Sequence, residues 1–229
     1  MLVQASKTAY CNPPTIFGKH TDTQVIIHDV GDMVIVAFRG SKEIEDWLTD
    51  FDVDRVAFPV GAVHHGFSRA IRDIFDSLKS ALQDPFARPV RPALYITGHS
   101  LGGALAVLAA FLLTQDGFDV QGVYTFGQPR VGDSLFCAAY DRQLGDRTFR
   151  IVNQADIVPR VPGLLLGYRH AGQKYFISPF HKKLELNPKF WALASADLFD
   201  ISRDWVTQRQ IALLADHRID RYIAELKNL

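Results

Sequence analysis

The stretch that most constrains this chain is Thr97-Gly98-His99-Ser100-Leu101-Gly102-Gly103. Ahead of it, Ala93 to Ile96 is short, apolar and strand-like. Behind it, Leu101 to Leu113 is apolar apart from small glycines and alanines, as a buried helix would be. A serine between a strand and a helix, with glycine two residues to either side, is the nucleophile-elbow pattern. The tight turn strains the serine backbone and presents its hydroxyl at the end of a sheet, above a helix N-terminus. Side chains at positions 98 and 102 would collide with neighbouring strands, so glycine is required at both.

The rest of the chain supplies the sheet that such a turn needs. Gln24 to Val30 and Met33 to Phe38 read as strands joined by Gly31-Asp32, and the second is continuously apolar, as a strand buried on both faces is. Asp52 to Phe58 and Gly61 to Gly66 read as strand and turn. Residues 67–83 read as a helix with Phe67, Ala70, Ile71, Ile74, Phe75, Leu78 and Leu82 inward, followed by a proline-rich loop from Asp84 to Pro92. Further strands are expected at Val120 to Phe126 and Thr148 to Val152, and a hairpin at Tyr168 to Ile177. Helices are expected over 3–11, 134–144, 188–195, 203–214 and from about His217 to the end. Strands alternating with helices predict one α/β domain over 1–229 with a mostly parallel sheet.

Composition excludes several classes. Lysine plus arginine (25) equals aspartate plus glutamate (25), so no long-range field draws the chain to nucleic acid or an anionic surface. The longest apolar run, Leu101 to Leu113, is too short to span a bilayer. Two cysteines, Cys11 and Cys137, make no disulfide framework and lack metal-site spacing. They read as small buried hydrophobes, with a single bridge between them left open. Residues 1–7 lack an apolar signal-peptide core, so the default expectation is a soluble cytoplasmic protein.

A serine hydroxyl needs a general base, and the base needs an acid to orient it. With the elbow first in the chain, the acid belongs on a later strand's loop and the histidine near the C-terminus. Asp133 and Asp156 compete for the acid. Asp133 directly precedes a helical run and suits an N-cap, which favours Asp156, in a short turn between an apolar strand and Pro159. Among the histidines, His99 points away from the elbow and reads as buried structure. His170 reads as a hydrogen-bonded structural residue, and His181 has no clear role. His217, at a loop-to-helix boundary after the acid, is the expected base. Oxyanion donors are expected from the Leu101 backbone N–H and from Ser41, in the Arg39-Gly40-Ser41 turn that ends the upstream central strand. Beyond that turn, Ile44, Trp47, Leu48 and Phe51 share one helical face. This helix is either a lid over the site or an ordinary surface helix.

These pieces together resemble the class 3 lipases, the fungal-type triacylglycerol lipase family of the α/β-hydrolase superfamily. The matching residues are Ala9-Tyr10-Cys11, Val36 to Ser41, Asp46-Trp47-Leu48, Val63 to Phe67, Gly98 to Ala106, Tyr124 to Asp133, Arg150 to Asn153, Asp156 to Pro159, and His217 with Tyr222. The resemblance implies an α/β-hydrolase fold, a Ser100–His217–Asp156 triad, and Ser41 and Leu101 as the oxyanion hole. It also implies a lid around Ile44, Trp47 and Leu48 that touches lipid surfaces. The expected substrate is an acylglycerol or another lipid-like ester, with no metal or organic cofactor. Phospholipid sn-1 esters and feruloylated sugars are alternative substrates on the same triad. The reading from another class is a hydrolase-fold binding module without activity.

Overall fold

The computed structural model describes residues 1–41, 53–153, 156–178, 183–186 and 214–228. The expected lid residues Ile44, Trp47 and Leu48, the helix expected over 188–195, all but the last residue of the helix expected over 203–214, and His181 lie outside them.

An eight-stranded sheet runs in the order β1 (Ile16–Phe17), β2 (Gln24–Asp29), β3 (Met33–Phe38), β6 (Ala93–His99), β7 (Val120–Phe126), β8 (Thr148–Asn153), β9 (Gln173–Ile177) and β10 (Leu184–Leu186). A separate hairpin pairs β4 (Arg55–Ala57) with β5 (Ala62–His64). The five strands from β3 to β9 are mutually parallel, and the outer pairs are antiparallel. The sheet is therefore mostly parallel, the α/β-hydrolase arrangement expected. The crossovers put helices on both faces. Along β3, Val34, Val36 and Phe38 join the core under α2 (His65–Phe86), α3 (Leu101–Gln115) and α4 (Ser134–Leu144). Ile35 and Ala37 point the other way, onto α1 (Leu2–Cys11). That period of two explains why the strand is apolar throughout. α5 (Ile219–Lys227) shares the α1 face, where Tyr222 packs with Phe126, Ile151 and Ile177. Lys7 of α1 pairs with Asp220 of α5 at 2.6 Å.

Three local readings change. The expected hairpin at 168–177 is instead a single strand, β9, parallel to β8 and antiparallel to β10. The helix after β5 runs on through buried Pro85 to Phe86, because a proline in the last turn forfeits only one backbone bond. Cys11 is exposed rather than buried. The inner face of α1 is Ala5, Ser6 and Ala9, and two residues beyond Ala9 the helix has turned about 200° toward solvent. Cys137 is buried as expected, both thiols are free, and burial pushes that of Cys137 up to about 12.

Candidate active site

Four loops meet at the C-terminal edge of the parallel strands, where open α/β sheets place ligands. Ser100 joins β6 to α3 with φ 59° and ψ −131°, a positive φ that non-glycine residues rarely adopt. The conformation is held by its backbone N–H, which donates to the Phe126 carbonyl at 2.9 Å. The flanking glycines are required by contact, though partly against a different neighbour than expected. A Cβ at Gly102 would strike the end of β3, 2.8 Å from the Arg39 carbonyl carbon. A Cβ at Gly98 would strike the first turn of α3, 2.7 Å from the Gly103 nitrogen. Ser100 is 1% exposed and, among the described residues, its Oγ has no hydrogen-bond partner.

Asp156 follows β8 and is buried. Its Oδ1 accepts from the Val158 N–H at 2.9 Å, and its Oδ2 accepts from the Tyr222 hydroxyl at 2.6 Å. Both oxygens face His217 Nδ1, at 3.0 and 2.9 Å. A carboxylate there fixes the hydrogen on Nδ1 and leaves Nε2 as the acceptor. His217 Nε2 is buried and unpartnered among the described residues, the same condition as Ser100 Oγ. Asp133, the competing acid, is an N-cap: its Oδ1 accepts from the Phe136 N–H at 2.8 Å and its Oδ2 from the Ala62 N–H at 3.0 Å.

Several side chains that hold this pair do not stand out in the sequence. His99 is buried, and its ring stacks on that of His217 with centroids 4.5 Å apart. Burial, then the neighbouring His217, holds the His99 imidazole well below the ordinary 6.5. It is therefore neutral. Its Nε2–H donates to the His217 carbonyl at 2.6 Å, so its Nδ1 accepts from the Tyr10 hydroxyl at 2.8 Å. Burial raises the Tyr10 phenol, which keeps its proton. A chain of two hydrogen bonds thus ties the backbone of His217 to α1. On the other side, Asn153 Nδ2 donates to the Asp216 carbonyl at 3.0 Å, and the Asn153 N–H donates to the Tyr222 hydroxyl at 3.0 Å. Gly127, with φ +60°, passes beneath the pair. A Cβ there would lie 2.7 Å from the His217 ring and 2.8 Å from Asp156 Oδ2. The sequence hints were His99 beside the serine and Tyr222 one turn and more beyond His217, but neither shows its partner.

The two expected oxyanion donors lie on segments that adjoin the serine in the chain or in space. Leu101 opens α3, and first-turn amides have no intrahelical acceptor. The Gly40-Ser41 turn ends β3 against the nucleophile, so that a Cβ at Gly40 would come 3.1 Å from Ser100 Cβ. Ser41 is half-buried. His170 Nε2 donates to the Pro159 carbonyl at 2.7 Å and takes no part in the cluster. Among the described residues no three His, Cys, Asp or Glu side chains converge as metal ligands.

A serine on an elbow, a histidine gripped by a buried carboxylate, and a mostly parallel sheet define a hydrolase-type fold and site. The profile of the family described as Lipase (class 3) matches residues 35–166, and this chain belongs to that family. It is 36% identical over 149 residues to a secreted mono- and diacylglycerol lipase of Fusarium solani, covering 63% of this chain and 44% of that one. It is 36% identical over 165 residues to a lipase of Rhizomucor miehei, covering 69% and 45%. The chain therefore spans about half the length of these curated relatives. The solved Rhizomucor miehei triacylglyceride lipase superposes with a TM-score of 0.65 at 32% identity, over 71% of this chain and 64% of that one. A second structure, of a triacylglycerol lipase whose catalytic centre is described as a serine protease triad, gives 0.67 at 30%, over 76% and 71%.

The comparisons correct one expectation. Relatives from Fusarium, Malassezia and Penicillium are named as secreted lipases, which overturns the cytoplasmic assignment. That assignment rested on the want of an apolar stretch in residues 1–7. Such an absence carries no weight in a chain that spans about half of its relatives.

Proposed function

We propose that this chain is a serine carboxylic-ester hydrolase acting on acylglycerols or related lipid esters. The observation that carries the reading is the pair of buried atoms that have no hydrogen-bond partner among the described residues, Ser100 Oγ and His217 Nε2, with His217 Nδ1 held by both oxygens of Asp156. Unsatisfied buried polar atoms are rare, and leaving one so costs about 1–3 kcal/mol. Two at one sheet edge, one a hydroxyl and one a base, suit a nucleophile and the general base that serves it.

In this reading Ser100 Oγ attacks the ester carbonyl while His217 Nε2 takes its proton. Asp156 stabilises the imidazolium, and its own hydrogen bonds from Val158 and Tyr222 hold it in orientation. The backbone N–H groups of Leu101 and Ser41 receive the oxyanion. His217 returns the proton to the departing alcohol. It then activates the water that hydrolyses the acyl-enzyme. The whole chain, 1–229, is read as one catalytic domain. The helix bearing Ile44, Trp47 and Leu48 is read as a lid that meets the lipid surface. The names of the secreted relatives support reading this chain, too, as exported.

A fluorophosphonate probe tests the proposal. The wild-type protein should label and Ser100→Ala should not. An unlabelled wild-type protein overturns the hydrolase reading.

A further inference from the structure

We propose that the turn Leu164–Leu166 is a fixed anchor for an anionic lipid surface, separate from the lid. The inference rests on the reading that the substrate is a lipid ester. Three consecutive leucines are exposed here: Leu164 by 43%, Leu165 by 93% and Leu166 by 48%. Single exposed leucines are ordinary, but an apolar run raised on one turn is not. Gly163 and Gly167 bracket the run, and Gly167 has φ +79°.

The exposure is built into the loop rather than a by-product of slackness. Arg130 Nη1 donates to the Arg160 and Pro162 carbonyls, the second at 2.8 Å. Arg169 Nη1 donates to the carbonyls of Leu164 at 3.1 Å and Tyr168 at 2.8 Å. The Arg169 N–H donates to the Gly132 carbonyl at 2.7 Å. Tyr168 is fully buried, and its hydroxyl donates to the carbonyls of Val53 at 2.9 Å and Asp54 at 3.1 Å. The loop is thus fastened on both sides, while the apolar side chains at its tip face water.

Position and charge select the partner. The tip lies eight residues beyond Asp156, on the loop that leaves the catalytic edge of the sheet. Through Tyr168 it grips residues 53 and 54, where the chain returns from the segment expected to form the lid. Exposed cations flank it. Arg169 braces the turn, and Arg55 lies over the Tyr168 ring at 5.4 Å, with its Nη1 3.0 Å from the place a Cβ on Gly167 would take. An apolar tip with a basic collar is the pattern that inserts at the headgroup boundary of an anionic membrane. It would hold the mouth of the site against the surface that carries its substrate.

Vesicle co-sedimentation tests this, with the intact chain and no turnover required. Wild-type protein should partition onto phosphatidylcholine vesicles containing phosphatidylglycerol. It should bind pure phosphatidylcholine roughly fivefold or more weakly, one guanidinium's worth of attraction. Leu165→Ser should weaken partition by roughly tenfold, the effect of losing one inserted leucine. Hydrolysis of the soluble ester p-nitrophenyl butyrate should be unchanged in that variant, which also reports that it is folded. Undiminished partition of Leu165→Ser overturns the anchor, and equal binding to both vesicles overturns its anionic selectivity. If wild-type protein self-associates and Leu165→Ser is monomeric with unaltered vesicle binding, the tip is a contact between copies and the proposal fails. A wild-type protein that binds vesicles but leaves the soluble ester intact refutes the hydrolase reading while leaving the anchor standing.

Discussion

Acid should destabilise this protein before its carboxylates are reached, through two histidines held neutral. Burial, then His217, depresses His99. Burial, then the guanidiniums of Arg150 and Arg130, depresses His170. Both ordinarily titrate near 6.5. The unfolded chain therefore binds two more protons than the folded one between pH 6.5 and the lower folded values, and stability rises with pH across that window. Their contribution is fully present above pH 6.5 and is lost as pH falls below it. For one histidine with a much lower folded value, the loss from about pH 7 to about pH 5.5 is about 1.3 kcal/mol, and for two about 2.5 kcal/mol. Urea unfolding at a series of pH values reads this directly. His99→Gln removes one of the two titrations. The variant will be less stable at neutral pH, because glutamine reproduces the Tyr10 and His217 hydrogen bonds imperfectly, but its loss over the same interval should fall to about 1.3 kcal/mol. The slope, not the absolute stability, carries the test. A wild-type slope near zero, or the full slope retained in His99→Gln, refutes the assignment of His99 as a neutral donor to the His217 carbonyl.

Two further outcomes follow from the site. Tyr222→Phe removes one of the donors on Asp156 and strands the buried Asn153 N–H. It should cost about 2 kcal/mol in unfolding free energy and lower kcat with KM unchanged, and an unaltered kcat would show that the hydroxyl does not orient the acid. If the segment 42–50 is the expected lid, Trp47 fluorescence should change when micelles are added. A constant signal, with activity flat across the substrate's solubility limit, makes it a fixed surface helix.

The elbow was legible because its requirements are local. Strand, turn and helix are adjacent in the chain, and the strained φ of Ser100 is accompanied by glycines that the sequence displays. Asp133 could be set aside for a local reason too, since an N-cap bonds residues only a few positions on. The sheet core was legible from β3, whose unbroken apolar run signals burial on both faces. What the sequence hid is distributed. Tyr10, His99 and the His217 carbonyl lie 89 and 118 positions apart along their two hydrogen bonds. Neither a period nor a spacing rule links an N-terminal helix to a C-terminal loop. Gly127 reads as a turn glycine, and only the folded chain shows the His217 ring and Asp156 in the space its missing side chain leaves. The same asymmetry explains the hairpin expected at 168–177. Its apolar residues satisfy a strand pattern, but which neighbour a strand pairs with is set by the sheet. Arg169 and Tyr168 spend their hydrogen bonds fastening a loop, so the chain reaches β8 in parallel instead of folding back on itself. That diversion leaves Leu164 to Leu166 at the surface. On a braced loop that leaves the catalytic edge, three exposed leucines are a persistent free-energy cost, and contact with a lipid surface would relieve it.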